Sequence, residues 1–281
     1  MTQCLHFVRL LLLSCLVVPY LHPQTPDSKA ELELGIASRE QGLYPEAIRH
    51  LQRAVALDPG GIGGHFYLAL VYDEMCIGSS SCEHPYVAVE EYRKVLELDP
   101  AHKEALKNLA HLLSNLGRRD EGDVLYRKAA KLDANDAEAL YSIAFLSWRR
   151  WYGVIMEERS KVSPRGKKPL MEFPACHQVR NRALTDVEEG IALLTRAVQL
   201  VNYDEAQSNM ALLYMLRAEL QCGDRAAYKR DLSSSRGWWN RACVAYNNAK
   251  ENTDQRRWRW FPGPPPPLPK RGDTCSWFRR H

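Results

Sequence analysis

Three sets of cysteines and histidines are the residues best suited to chemistry in this 281-residue chain. Cys76, Cys82 and His84 form C-x5-C-x-H in a Gly/Ser-rich stretch; Cys176 adjoins His177; Cys222 stands further on. Structural zinc wants four ligands, usually with two cysteines separated by two to four residues. Neither that spacing nor that number occurs locally, so a disulfide between Cys76 and Cys82 is the better reading, with free thiols or a metal as the alternatives. No C-x-x-C-H haem attachment is present. No Ser/His/Asp or Cys/His constellation assembles without assuming a proximity that the sequence does not give. The reading is therefore of a chain without catalytic residues, cofactor or metal site, and not of an enzyme.

Export would favour the disulfide, and the N-terminus suggests it. Arg9 and the α-amino group precede an apolar run, Leu10–Val18, too short to span a bilayer. Residues 1–24 thus read as a signal peptide or an N-terminal anchor. Leu12-Leu13-Ser14-Cys15 faintly resembles a lipoprotein box, which would leave a lipid-anchored form. The expected location is periplasmic, cell-envelope or secreted, where disulfides persist. Net charge is only +4, with nothing global to favour nucleic acid. The excess sits at the end: residues 250–281 hold eight Lys/Arg against three Asp/Glu.

The elements that must position these residues are set by a repeated pattern. In LGIASREQGLYPEAIRHLQRAVALDP, Leu34 to Pro59, small residues Gly35, Ala47 and Ala54 sit where two helices touch. Gly42 and Tyr44 break the first helical run, and Asp58-Pro59 ends the second. Small residues recur at Gly35, Ala69, Ala110 and Ala144. Ala47, Ala88, Gly122 and Gly190 each precede the end of their unit by the same twelve residues. This wording resembles the tetratricopeptide repeat, a helix–turn–helix unit of about 34 residues whose neighbours stack. The resemblance implies an all-α, right-handed superhelical solenoid of about five helix pairs, and a protein-binding scaffold. Its layout also looks like exported bacterial tetratricopeptide proteins of unassigned activity. The units run near 28–61, 62–102, 103–136, 137–203 and 204–250, giving a solenoid domain over 25–250 and a Pro-rich, basic tail over 251–281.

Two units carry inserts. The second is stretched between Ala69 and Ala88, in the turn Cys76–Pro85. The fourth is stretched between Ala144 and Gly190, and KVSPRGKKP within it reads as a long surface excursion. A short helix is expected near Cys176–Leu184, with a new helix capped at Thr185 by Thr185-x-x-Glu188. Cys176, returning from this insert, and Cys222, in the next turn, lie on one edge of such a solenoid, and a second disulfide can join them.

Projected on the repeat, the concave face takes Leu32, Ile36, Arg39, Phe66, Leu70, Asp73, Lys107, His111, Tyr141, Phe145, Trp148, Leu212 and Met215. From these we select Ile36, Arg39, Phe66, Leu70, Lys107, His111, Tyr141, Phe145, Trp148 and Leu212 as partner-binding candidates. Leu32 and Ile36 replace the Lys and Asn with which related proteins grip a C-terminal carboxylate. An apolar, aromatic groove suits a protein or peptide; alternatively these side chains simply cover one another. The tail offers RRWRWF, Pro266–Arg271 and Arg271-Gly272-Asp273, and reads as largely extended or disordered, with possible weak membrane-surface contact. Two rival functions remain: a thiol- or metal-dependent accessory protein using Cys76, Cys82, His84, Cys176 and His177, and a membrane-surface adaptor working through the tail.

Overall fold

In the computed structural model, residues 27–76, 85–166, 168–201 and 204–248 are described. The signal-like segment, Cys82, His84 and the tail lie outside them. Among the described residues the chain is helical without strands: α1 Ser28–Glu40, α2 Tyr44–Leu57, α3 Ile62–Cys76, α4 Pro85–Leu98, α5 Lys103–Asn115, α6 Arg119–Leu132, α7 Ala137–Val162, α8 Ala175–Leu200, α9 Asp204–Glu219 and α10 Arg225–Asn248. Consecutive helices pack in pairs, and each pair leans on the next.

Local chemistry punctuates this array. Gly42, Gly117 and Gly223 take positive φ (75°, 84° and 81°) between the two helices of the first, third and fifth pairs. Leu43 N then donates to Ser38 O and Gly42 N to Arg39 O, each at 2.9 Å, which closes the helix end as a Schellman motif. Between pairs an aspartate does the turning. Asp58, Asp99 and Asp133 accept through Oδ1 from the backbone N–H two residues on, at 3.3, 3.0 and 3.0 Å. Asp27, His102 and Asp136 cap α1, α5 and α7, accepting from Lys29 N, Ala105 N and Ala139 N.

The small residues sit at helix contacts. Ala47, Ala69, Ala88, Ala110 and Ala144 have no exposed surface. A Cβ on Gly35 would stand 2.6 Å from Leu51 Cγ, and one on Gly122 would stand 2.7 Å from Ala110 O.

The fourth unit differs from expectation. Its insert lengthens both helices: α7 and α8 each run 26 residues. Helix α8 passes through Thr185 unbroken, so there is no separate helix near 176–184 and no capping box at Thr185. The reason is packing. Cys176, Val179, Ala183, Val187, Ile191 and Leu194 fall three or four residues apart and are all buried, so one apolar stripe carries the helix across the expected break. Ile155 extends the matching face of α7. Only 163–174 forms a connection, with a short 3-10 turn at Leu170–Glu172.

That connection is fastened to the last pair. Glu219 accepts from Leu170 N at 2.5 Å and from Arg159 Nη1 at 2.9 Å. Met171 O accepts from Gly223 N at 2.8 Å, and Leu220 O from Arg180 Nη1 at 2.6 Å. A disulfide joins Cys176 to Cys222, whose Cα atoms lie 5.5 Å apart.

Candidate functional site

The first helices of the pairs, α1, α3, α5, α7 and α9, carry the candidate face, and burial divides it in two. Leu70, His111, Tyr141, Phe145 and Leu212 are 6%, 5%, 4%, 3% and 5% exposed. These five are corrected from contact residues to covered ones. For Tyr141 and Phe145 the cause is direct packing of α7 on α9, in a cluster with Met210, Leu213 and Leu216. Asn209 Nδ2 also donates to the Tyr141 hydroxyl at 2.5 Å. Ile36, Arg39, Phe66, Lys107 and Trp148 keep partial exposure.

Both cations of this remaining set are already engaged. Arg39 makes a two-pronged pair with Glu74, Nε–Oε2 at 3.0 Å and Nη2–Oε1 at 2.5 Å. Lys107 Nζ lies 2.8 Å from Glu138 Oε2 and 3.2 Å from Asp136 Oδ2. A ligand carboxylate would have to displace these acids to bind either one, which fits poorly with a carboxylate grip.

Two polar atoms on these first helices lack a hydrogen bond instead. Asp73, 3% exposed, has no hydrogen bond to Oδ2. Burial, and then the adjacent Glu74 charge, push its pKa up to about 7. Trp148 holds its indole N–H buried, with no acceptor. Its ring tilts against Phe145 at 5.6 Å and Tyr152 at 5.3 Å, and Tyr141 stacks behind Phe145 at 6.1 Å. Nearer the N-terminus, Phe66 stacks on His102 at 4.9 Å and meets Tyr92 edge-on at 6.1 Å. Sequence reasoning placed Asp73 on this face without seeing that it is buried. A burial pattern has no signature in repeat spacing.

The cysteine sites resolve differently from a metal or thiol centre. Cys176 is bonded to Cys222, and His177 beside it is exposed. Cys76 is also disulfide-bonded, while Cys82 and His84 fall outside the described residues. Among the described residues no three His, Cys, Asp or Glu cluster as a metal site would need, and no helix is long and apolar enough to cross a membrane.

This architecture defines a class: an α-solenoid of paired helices. The sequence pattern of the tetratricopeptide repeat matches residues 104–136, so the chain carries that repeat and, as a whole, has the fold of tetratricopeptide-repeat proteins. It is 31% identical over 87 residues to the photosystem I assembly protein Ycf3 of Synechococcus elongatus, covering 31% of this chain and 48% of that protein. It is 41% identical over 59 residues to the CTR9 homolog of Arabidopsis thaliana, covering 21% and 5%. The matches thus span about half or less of these relatives. In fold it is similar to MamA (TM-score 0.54, 13% identity, 80% of this chain and 95% of that one). It is also similar to YrrB, described as a tetratricopeptide protein with an unusual peptide-binding site (TM-score 0.52, 13% identity, 78% and 86%).

Proposed function

We propose that the chain is a non-enzymatic interaction scaffold that binds a protein or peptide segment along its concave face, in the cell envelope or secreted space. The observation that carries this reading is the unmet hydrogen-bonding capacity of that face. Trp148 Nε1 and Asp73 Oδ2 are buried polar atoms without a hydrogen bond, on the same set of first helices that carries the partly exposed Ile36 and Phe66. Isolated buried polar groups cost free energy until they are paired. A peptide bringing a carbonyl to one, a cationic or amide group to the other and apolar side chains between them would complete the face. Tetratricopeptide proteins are generally scaffolds, which supports the absence of catalysis. Export is supported by the Arg9 and Leu10–Val18 pattern and by the Cys176–Cys222 disulfide. The test is N-terminal sequencing of native protein together with affinity capture from the envelope fraction. Binding to the captured protein should weaken in Trp148→Ala; an intact Met1 in cytosol would contradict export.

A further inference from the structure

The outward face of α10 breaks the charge pattern of the other second helices. In α2, α4 and α6 cations are answered from the same helix: Arg49 by Glu46 at 3.1 Å, Arg93 by Glu90 at 2.9 Å, Lys94 by Glu97 at 2.9 Å and Arg127 by Asp123 at 3.0 Å. In α10 Arg225, Lys229, Arg230, Arg236 and Arg241 are all exposed. At 100° per residue they fall on one side of the helix, along roughly 24 Å. The acid of this helix, Asp231, points the other way: it is 3% exposed and accepts from Arg217 and Gln221. Glu172 answers Arg225 at 3.3 Å. Lys229, Arg230 and Arg241 make no ion pair with any described residue. A cap that only had to face water could mix both signs, as α4 and α6 do; this one carries a single sign.

Two further features of the same face point to a contact outside the chain. Gly237 is exposed in mid-helix, and a Cβ there would meet nothing within 4 Å. Packing therefore does not ask for glycine, which weakens a helix interior relative to alanine; close approach of another surface to the backbone does ask for it. One turn or two further on, apolar surface joins the cations. Val244 is 55% exposed, and the Arg241 guanidinium lies 4.5 Å from the centre of the Trp238 ring. Helix α10 ends at Asn248, and the sequence soon repeats this chemistry, with Arg256, Arg257 and Arg259 among Trp258, Trp260 and Phe261. Basic residues next to tryptophans suit an anionic lipid interface, where phosphates meet the cations and indole rings settle among the headgroups. An acidic protein would answer the cations and leave the rings unused.

We infer that the outward face of α10 docks on an anionic phospholipid bilayer, with lipid phosphates as the counterions of Lys229, Arg230 and Arg241. The contact is peripheral and electrostatic, because the apolar side of α10 is already packed on α9, and salt weakens it. The docking face is turned away from α9, so the first-helix face stays open to a protein partner. The inference stands independently of that partner site.

The test is co-sedimentation of the full chain with vesicles of phosphatidylcholine alone and of phosphatidylcholine mixed with phosphatidylglycerol. The expected result is binding to the mixed vesicles only, weakened by added salt. Lys229→Gln/Arg230→Gln/Arg241→Gln should bind them about a hundredfold less well, with an unchanged melting curve, since all three side chains are exposed. The charge-keeping control Arg230→Lys/Arg241→Lys should bind like wild type. Equal binding to both vesicles would mean attachment through apolar sequence such as Leu10–Val18 and would overturn the inference. Undiminished binding of the triple glutamine variant would overturn it too, by assigning the contact to the tail alone. So would retention on a soluble polyanion such as heparin without binding to phosphatidylglycerol.

Discussion

Gly35 and Leu51 meet so closely that a Cβ on the glycine would stand 2.6 Å from Leu51 Cγ and 2.8 Å from Cδ2. Because Leu51 is itself fully buried, it has nowhere to yield. Gly35→Leu should therefore push α1 away from α2 and cost about 1–3 kcal/mol or more. Thermal melts check this, and an unchanged midpoint would contradict the helix contact. Gly42→Ala, at a φ of 75° with open space around it, should instead cost about 1 kcal/mol through backbone strain alone.

Asp73 gives the chain a pH dependence of unusual sign. Its carboxyl holds its proton up to about pH 7 when folded, whereas a free aspartate gives it up near pH 3.8. The folded state thus binds more protons between those limits, and stability falls as pH rises from about 4 to 7, then levels. Tyr92 and Glu74 face it, and Glu74 is held by Arg39. Asp73→Asn should raise the melting midpoint at pH 8 by more than at pH 5, the gain reaching a few kcal/mol at most. Equal shifts at both pH values would remove the claim.

Phe145→Ala should behave as a core mutation. The ring is 3% exposed and clustered with Ile155, Val187 and Met210, so a loss of about 3–5 kcal/mol is expected. Chemical denaturation measures it; a loss under about 1 kcal/mol would return Phe145 to the list of surface anchors.

The disulfide ties α8 to the α9–α10 turn across 46 residues. Cys176→Ser/Cys222→Ser should lower stability by about 2–4 kcal/mol on chain-entropy grounds. Hydrogen exchange should then rise in 163–174 before it rises elsewhere, because hydrogen bonds such as Leu170 N to Glu219 and Gly223 N to Met171 O would hold that connection without a covalent tie. Uniform exchange across all pairs would show that the insert is not locally fastened.

How far the sequence reached follows from what each signal encodes. Small residues such as Gly35, Ala110 and Gly122 mark helix contacts directly, because close approach permits no other size; the solenoid was legible for that reason. The insert was less so. Pro164, Gly166 and Pro169 suggested a long excursion, whereas Ile155, Val179 and Ala183 extend apolar stripes already running through α7 and α8, and burial of those stripes decides. The candidate face was placed by repeat register, which fixes the side of a helix and says nothing of what covers it. Tyr141 and Phe145 therefore entered as anchors, and packing against α9 buries them.

The central claim is that the partly exposed concave residues bind a protein segment. Its most direct measurement is the affinity of the full chain for the protein captured by it, wild type against Trp148→Ala, with melting curves of both. The account predicts a loss of about 2 kcal/mol or more in binding, and a midpoint that moves little. Unchanged affinity, or a Trp148→Ala chain that no longer folds, would contradict it.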